Sequence, residues 1–144
     1  MSEGVQFEPA ITVVGIAIRT SHAKAEEIGG LWQRFYSEGV GGQIPDRLER
    51  DVYSVYFDYE GDFTAPYSLL IGCAVRSDSS VPEGMKTVVL PAGSYERFDA
   101  TGEQPQGVIA AWNTIWKAPL ERRYEVDFER YGEDGTVAIY VGVQ

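Results

Sequence analysis

The chain has 144 residues, a mass of 16.0 kDa and a formal net charge of −10 at pH 7, with 44% apolar and 24% charged residues. That length suits one domain burying roughly 70% of its unfolded surface, and this balance of apolar and charged residues argues against disorder. The negative charge argues against a surface that neutralises phosphates, so neither nucleic acid nor an anionic membrane is an expected partner; cationic small molecules or basic protein patches suit it better.

The first predicted element is the apolar strand AITVVGIAIRT, residues 10–20. A helix follows in SHAKAEEIGGLWQRFYSEG, where Ile28, Leu31, Trp32 and Phe35 recur at the i, i+3, i+4, i+7 spacing of one buried face. Thr20 or Ser21 is placed to cap its start and Gly39 to end it. Gly29 and Gly30 inside it cost about 1 kcal/mol each relative to Ala, which predicts close approach of another backbone or of a ligand. The loop GVGGQIPDRLERD leads into two strands, DVYSVYFDYEGD and PYSLLIGCAV, joined by a turn. Cys73, the only cysteine, lies in the second of these, so no intramolecular disulfide forms and the thiol is expected to be buried.

After SDSSVPEGM, residues 77–85, the order repeats. A strand bent at its Pro-Ala-Gly, KTVVLPAGSYERF, precedes the helix QPQGVIAAWNTIWK, with Pro105 in its first turn and Val108, Ala111, Trp112 and Ile115 at the same spacing as before. The strands RYEVDFERYGED and TVAIYVGV close the chain. The reading is one α+β domain over 1–144, made of two β-α-β-β halves (1–76 and 86–144, connector 77–85). Each amphipathic helix must cover one face of its strands. Two such halves pack about a pseudo-two-fold axis and leave a cleft at their seam.

Several chemistries are demoted. His22, the only histidine, stands at a helix start with no nucleophile or metal-ligand set beside it. There is no phosphate-binding loop, and no cofactor or metal is expected. No stretch resembles a signal peptide or a membrane span, so a soluble, cytoplasmic protein is expected.

The ordered motifs LWQRF, IPD, VYFDYEGD, LPAGSYERF, AWNTIW, DFERY and the terminal IYVGV resemble the GyrI-like effector-binding domain of AraC-type and MerR-type regulators. The likeness runs from Val5 to Gln144, and the stand-alone form carried by integron cassettes is especially similar in layout. The resemblance implies two β-α-β-β halves around an aromatic cleft that binds lipophilic cationic drugs or dyes, with an acid inside it. Within 144 residues a helix-turn-helix does not fit beside the domain, so the expected role is a sequestering protein or a sensor that works with a separate DNA-binding chain. The resemblance also leaves open a hydrolase of cyclopropane-containing natural products that uses a cleft Glu/Tyr pair. An acidic module masking a basic partner protein is a further alternative.

The family's glutamate corresponds to Glu129. Strand alternation supports that choice: with Val126 and Phe128 facing the core beneath the helices, Glu129 and Tyr131 face the cleft. In the first half the same parity places Ser54, Tyr56 and Asp58 on the cleft side, with Asp58 the repeat partner of Glu129. Expected aromatic walls are Trp32, Phe35, Tyr56, Tyr67, Trp112 and Tyr140. Glu125 and Asp127, earlier in the strand, are expected to be solvated.

Overall fold

The computed structural model describes residues 2–21, 24–61, 65–100 and 106–144, so His22 and Pro105 lie outside the described residues. The elements in chain order are β1 (Ser2–Glu8), β2 (Ile11–Thr20), α1 (Ala25–Ser37), α2 (Val40–Gln43), β3 (Val52–Phe57), β4 (Tyr67–Val75), β5 (Lys86–Leu90), β6 (Gly93–Asp99), α3 (Gln106–Lys117), β7 (Arg122–Tyr131) and β8 (Val137–Val143). β1 has no counterpart in the sequence reading. The strand expected across Pro-Ala-Gly is two strands, β5 and β6, with different neighbours.

The eight strands form one antiparallel sheet in the order β1-β6-β8-β7-β3-β4-β2-β5. The order is the same from both ends when β1 is exchanged with β5, β2 with β6, β3 with β7 and β4 with β8. Its midpoint is the pairing of β3 with β7, where the two halves meet.

The short links force this sheet to curl. In a flat sheet β5 and β6 would stand about 29 Å apart, six steps of about 4.8 Å. The link Pro91–Ala92 lets Leu90 and Gly93 lie at most about 11 Å apart. Pro9 and Ala10 impose the same limit on β1 and β2. Both faces therefore become interior. On one face Leu31 and Phe35 of α1 and Trp112 and Ile115 of α3 pack with Val14, Ile16, Ile71, Cys73, Ile139 and Val141. On the concave, helix-free face a second cluster joins Val13, Tyr53, Val55, Leu70, Leu90, Tyr95, Phe128 and Tyr140. Where β2 crosses β4, Gly15 pairs with Gly72; a Cβ on either would fall 2.0 Å from a carbonyl oxygen of the facing strand, so only glycine permits this approach.

α1 ends as expected: Gly39 adopts φ +61 and donates to the carbonyl of Tyr36. Its start does not. The N-cap is Lys24, without a side-chain cap, and Thr20 belongs to β2 with its hydroxyl donating to Glu27 instead. Apart from the helix itself, nothing among the described residues lies within 4 Å of a Cβ built on Gly29 or Gly30, so no neighbouring backbone there accounts for these glycines. Cys73 is buried, as expected.

Candidate functional site

α1 packs on β2 and β4, and α3 packs on β8. The central strands β3 and β7 thus form the floor between the two helices. β7 reaches this floor through an irregularity. Its register with β8 shifts between Arg122 and Asp127, and Tyr124 within that stretch holds φ +54. Beyond it the alternation is regular. Asp127 and Glu129 face the helix side, opposite Tyr56 and Ser54 of β3.

This overturns one expectation. Phe128 and Val55 belong to the concave, helix-free cluster, whereas Glu129 points to the same side as the helices. Parity grouped these residues correctly. The helices cover the opposite face from the one expected, because curling makes a core of the helix-free face too.

Glu129 is 2% exposed and hydrogen-bonded at both carboxylate oxygens within a ring of aromatics. Its Oε2 accepts from the Tyr56 hydroxyl at 2.7 Å and from Trp112 Nε1 at 2.6 Å, and its Oε1 accepts from the Tyr131 hydroxyl at 2.5 Å. Burial raises its pKa above the ordinary 4.5, against the pull of the three donors from Tyr131, Trp112 and Tyr56. Burial first, and the neighbouring charge of Glu129 second, push the phenols of Tyr56 and Tyr131 up, so both stay protonated as donors.

The aromatic ring continues outward. Trp32 of α1 meets Tyr131 edge-on at 4.8 Å, and Tyr36, largely exposed, stacks on Trp32 at 6.0 Å. On the other side Tyr56 lies 5.2 Å from Trp112 and 5.3 Å from Tyr67. Trp32, Tyr56, Tyr67, Trp112 and Tyr131 are thus gathered about Glu129. Tyr36 escaped the sequence reading, although its place one turn after Trp32 on α1 was a usable signal.

Phe35 is buried edge-on to Trp32 at 6.4 Å, in the same cluster as Tyr56, Tyr67 and Trp112. Two expected residues lie elsewhere. Asp58 stands exposed in the turn after β3 with φ +53, its carbonyl accepting from Arg19, because the strand ends at Phe57 before parity can bring Asp58 to the floor. Tyr140 stacks on Phe128 at 4.7 Å on the helix-free face. There it lines a separate polar cavity of about 470 Å³ with Arg97, Arg130 and Asp51.

Asp127 is likewise not solvated: it is 0% exposed. Its Oδ2 accepts from Arg122 Nη2 at 2.6 Å and from the Tyr59 hydroxyl at 2.5 Å, and its Oδ1 from the Gly142 amide at 2.8 Å. Arg122 and Asp127 have opposite parity, so alternation alone separates them. The irregularity at 123–126 restores them to one face. Glu125, by contrast, is exposed. The floor therefore holds two buried carboxylates two residues apart. Asp127 has a resident cation, and among the described residues no cationic side chain pairs with Glu129.

Comparison with known proteins places the chain in a family. Residues 6–143 match the profile of the Cass2 family, described as integron-associated effector binding protein. Over 132 residues the chain is 29% identical to the transcriptional regulator BrlR of Pseudomonas aeruginosa, covering 87% of this chain and 46% of that protein; the chain thus spans less than half of that relative's length. The integron cassette protein VCH_CASS2 from the mobile metagenome of Vibrio cholerae superposes with a TM-score of 0.78 at 30% identity, covering 99% of this chain and 97% of that one. SAV2435, solved bound to tetraphenylphosphonium, shares the fold with a TM-score of 0.79 at 21% identity, covering 100% of this chain and 94% of that one.

Proposed function

The chain belongs to the integron-associated effector binding protein family, and from that premise we propose that it reversibly binds lipophilic organic cations between α1 and α3, with Glu129 as the charge partner. The observation that carries this reading is the contrast on the floor: Asp127 is neutralised by Arg122, while Glu129 is equally buried and, among the described residues, has no cation beside it. A carboxylate withdrawn from water gains most from a cation that is itself weakly hydrated. The surrounding rings of Tyr56, Trp112, Tyr131 and Trp32 suit the aromatic body of such a molecule, and a cation over a ring face gains about 0.5–2 kcal/mol. That SAV2435 was solved with tetraphenylphosphonium, a lipophilic cation, supports the same ligand class.

Because Glu129 is sealed, a ligand reaches it by displacing a ring. Trp32 and Tyr131, both only partly buried, are the side chains with room to move. In the cell such binding serves a sequestering protein, or a ligand sensor whose output passes to another chain. The test is titration of rhodamine 6G followed by fluorescence anisotropy. Saturable micromolar binding is expected. A flat titration with this dye and with other lipophilic cations would remove the reading.

A further inference from the structure

Ser54 is the cross-strand partner of Glu129 in the β3–β7 ladder, so the two side chains leave the same face with Cβ atoms about 5 Å apart. Ser54 is 0% exposed, and among the described residues its hydroxyl has no hydrogen-bond partner. Buried hydroxyls are ordinarily paired, so an orphan on the floor beside the site acid is unusual. Glu129 has matching spare capacity. An ionised carboxylate offers about four lone-pair positions. Tyr56 and Trp112 occupy two on Oε2 and Tyr131 occupies one on Oε1, which leaves one on Oε1. Among the described residues neither the Ser54 hydroxyl nor the remaining position on Oε1 is engaged, and a ligand N–H could donate to either oxygen.

We propose that Ser54 and Glu129 together receive an N–H group of the ligand, so that the site selects cations carrying at least one N–H on the charged system over cations that are fully alkylated or phosphonium-centred. This rests on the cation-binding reading above and narrows its ligand class. Any lipophilic cation meets the charge of Glu129. A ligand N–H can also pair the Ser54 hydroxyl oxygen, whereas a fully alkylated cation brings no donor to it and leaves that hydroxyl buried and unpaired in the complex as well. Specificity of this kind comes from a polar group that one ligand satisfies and its analogue does not.

Two xanthylium cations bearing the same ethyl ester separate the possibilities. Rhodamine 6G carries one N–H on each amino nitrogen, and tetramethylrhodamine ethyl ester carries none. Both are titrated by anisotropy into the wild type and into Ser54→Ala. Rhodamine 6G should bind the wild type at least about fivefold more tightly than the ester. In Ser54→Ala that preference should vanish through weaker rhodamine 6G binding alone, with the affinity for the ester unchanged. The melting temperature should not fall, because the hydroxyl removed has no partner to lose. Equal affinities in the wild type, or a Ser54→Ala effect shared by both dyes, would overturn N–H selection while leaving cation binding intact. If neither dye binds the wild type, the cation-binding reading fails and this inference fails with it.

Discussion

Glu129→Gln separates the charge of the site from its shape. The amide is isosteric with the carboxylate. Its oxygen can keep the hydrogen bonds from Tyr56 and Trp112, and its NH2 can donate to Tyr131 once that hydroxyl turns round. Packing is therefore preserved and only the ionisable charge is lost. For binding, a contact to a charged partner is worth roughly 1.5–3 kcal/mol, so a loss of about 2 kcal/mol, near thirtyfold in Kd, is expected for rhodamine 6G.

The pH dependence has a fixed sign. The folded-state pKa of Glu129 is raised above 4.5, so the folded chain holds this proton more tightly than the unfolded chain does. The stabilisation from the protonated form is complete below about pH 4.5 and is lost as pH rises through the raised folded value. The Gln variant has no such loss, so above that window it should be at least as stable as the wild type in thermal melts. Ligand binding runs the other way. A cation prefers the ionised acid, so wild-type affinity should weaken by up to about tenfold per pH unit as pH falls below the folded-state pKa. The Gln variant should bind weakly and show no such slope. Anisotropy titrations at several pH values read both quantities. If Glu129→Gln binds as tightly as the wild type, or shows the same pH slope, Glu129 is not the charge partner.

Tyr56→Phe removes one of the two donors to Oε2. It should destabilise the fold by about 1–3 kcal/mol and move the pH midpoint of dye binding upward, since a donor that favours the charged acid is lost; an unchanged midpoint counts against the Tyr56 hydrogen bond. Arg122→Met leaves Asp127 buried without its cation. A loss of about 3–5 kcal/mol in denaturant titrations is expected, and a loss under about 1 kcal/mol would mean that water reaches Asp127. Gly30→Ala should stabilise by up to about 1 kcal/mol, because a Cβ there meets nothing within 4 Å and helix propensity improves; a lower melting temperature would contradict the open surroundings of that position.

The sequence by itself determined the two long helices and the faces of the central strands, though not β1 or the division of β5 from β6. The 3.6-residue spacing at Ile28–Phe35 and Val108–Ile115 fixed the two helices, and alternation correctly put Glu129 with Ser54 and Tyr56 and apart from Phe128, because these are properties of the local backbone geometry. Which group lies under the helices was not legible. Alternation assigns faces without saying what covers them, and a sheet curled by two-residue links at Pro9–Ala10 and Pro91–Ala92 buries both. The same limit misplaced Tyr140, whose parity offered no sign of the helix-free core. Asp127 was misread for a different reason. Its partner Arg122 stands at the wrong parity, and only the register shift around Tyr124 brings the two together. Tertiary structure thus decided which of the two floor acids is neutralised. Pairing Arg122 with Asp127 required a local break in the strand, and no such break brings a cation to Glu129 among the described residues.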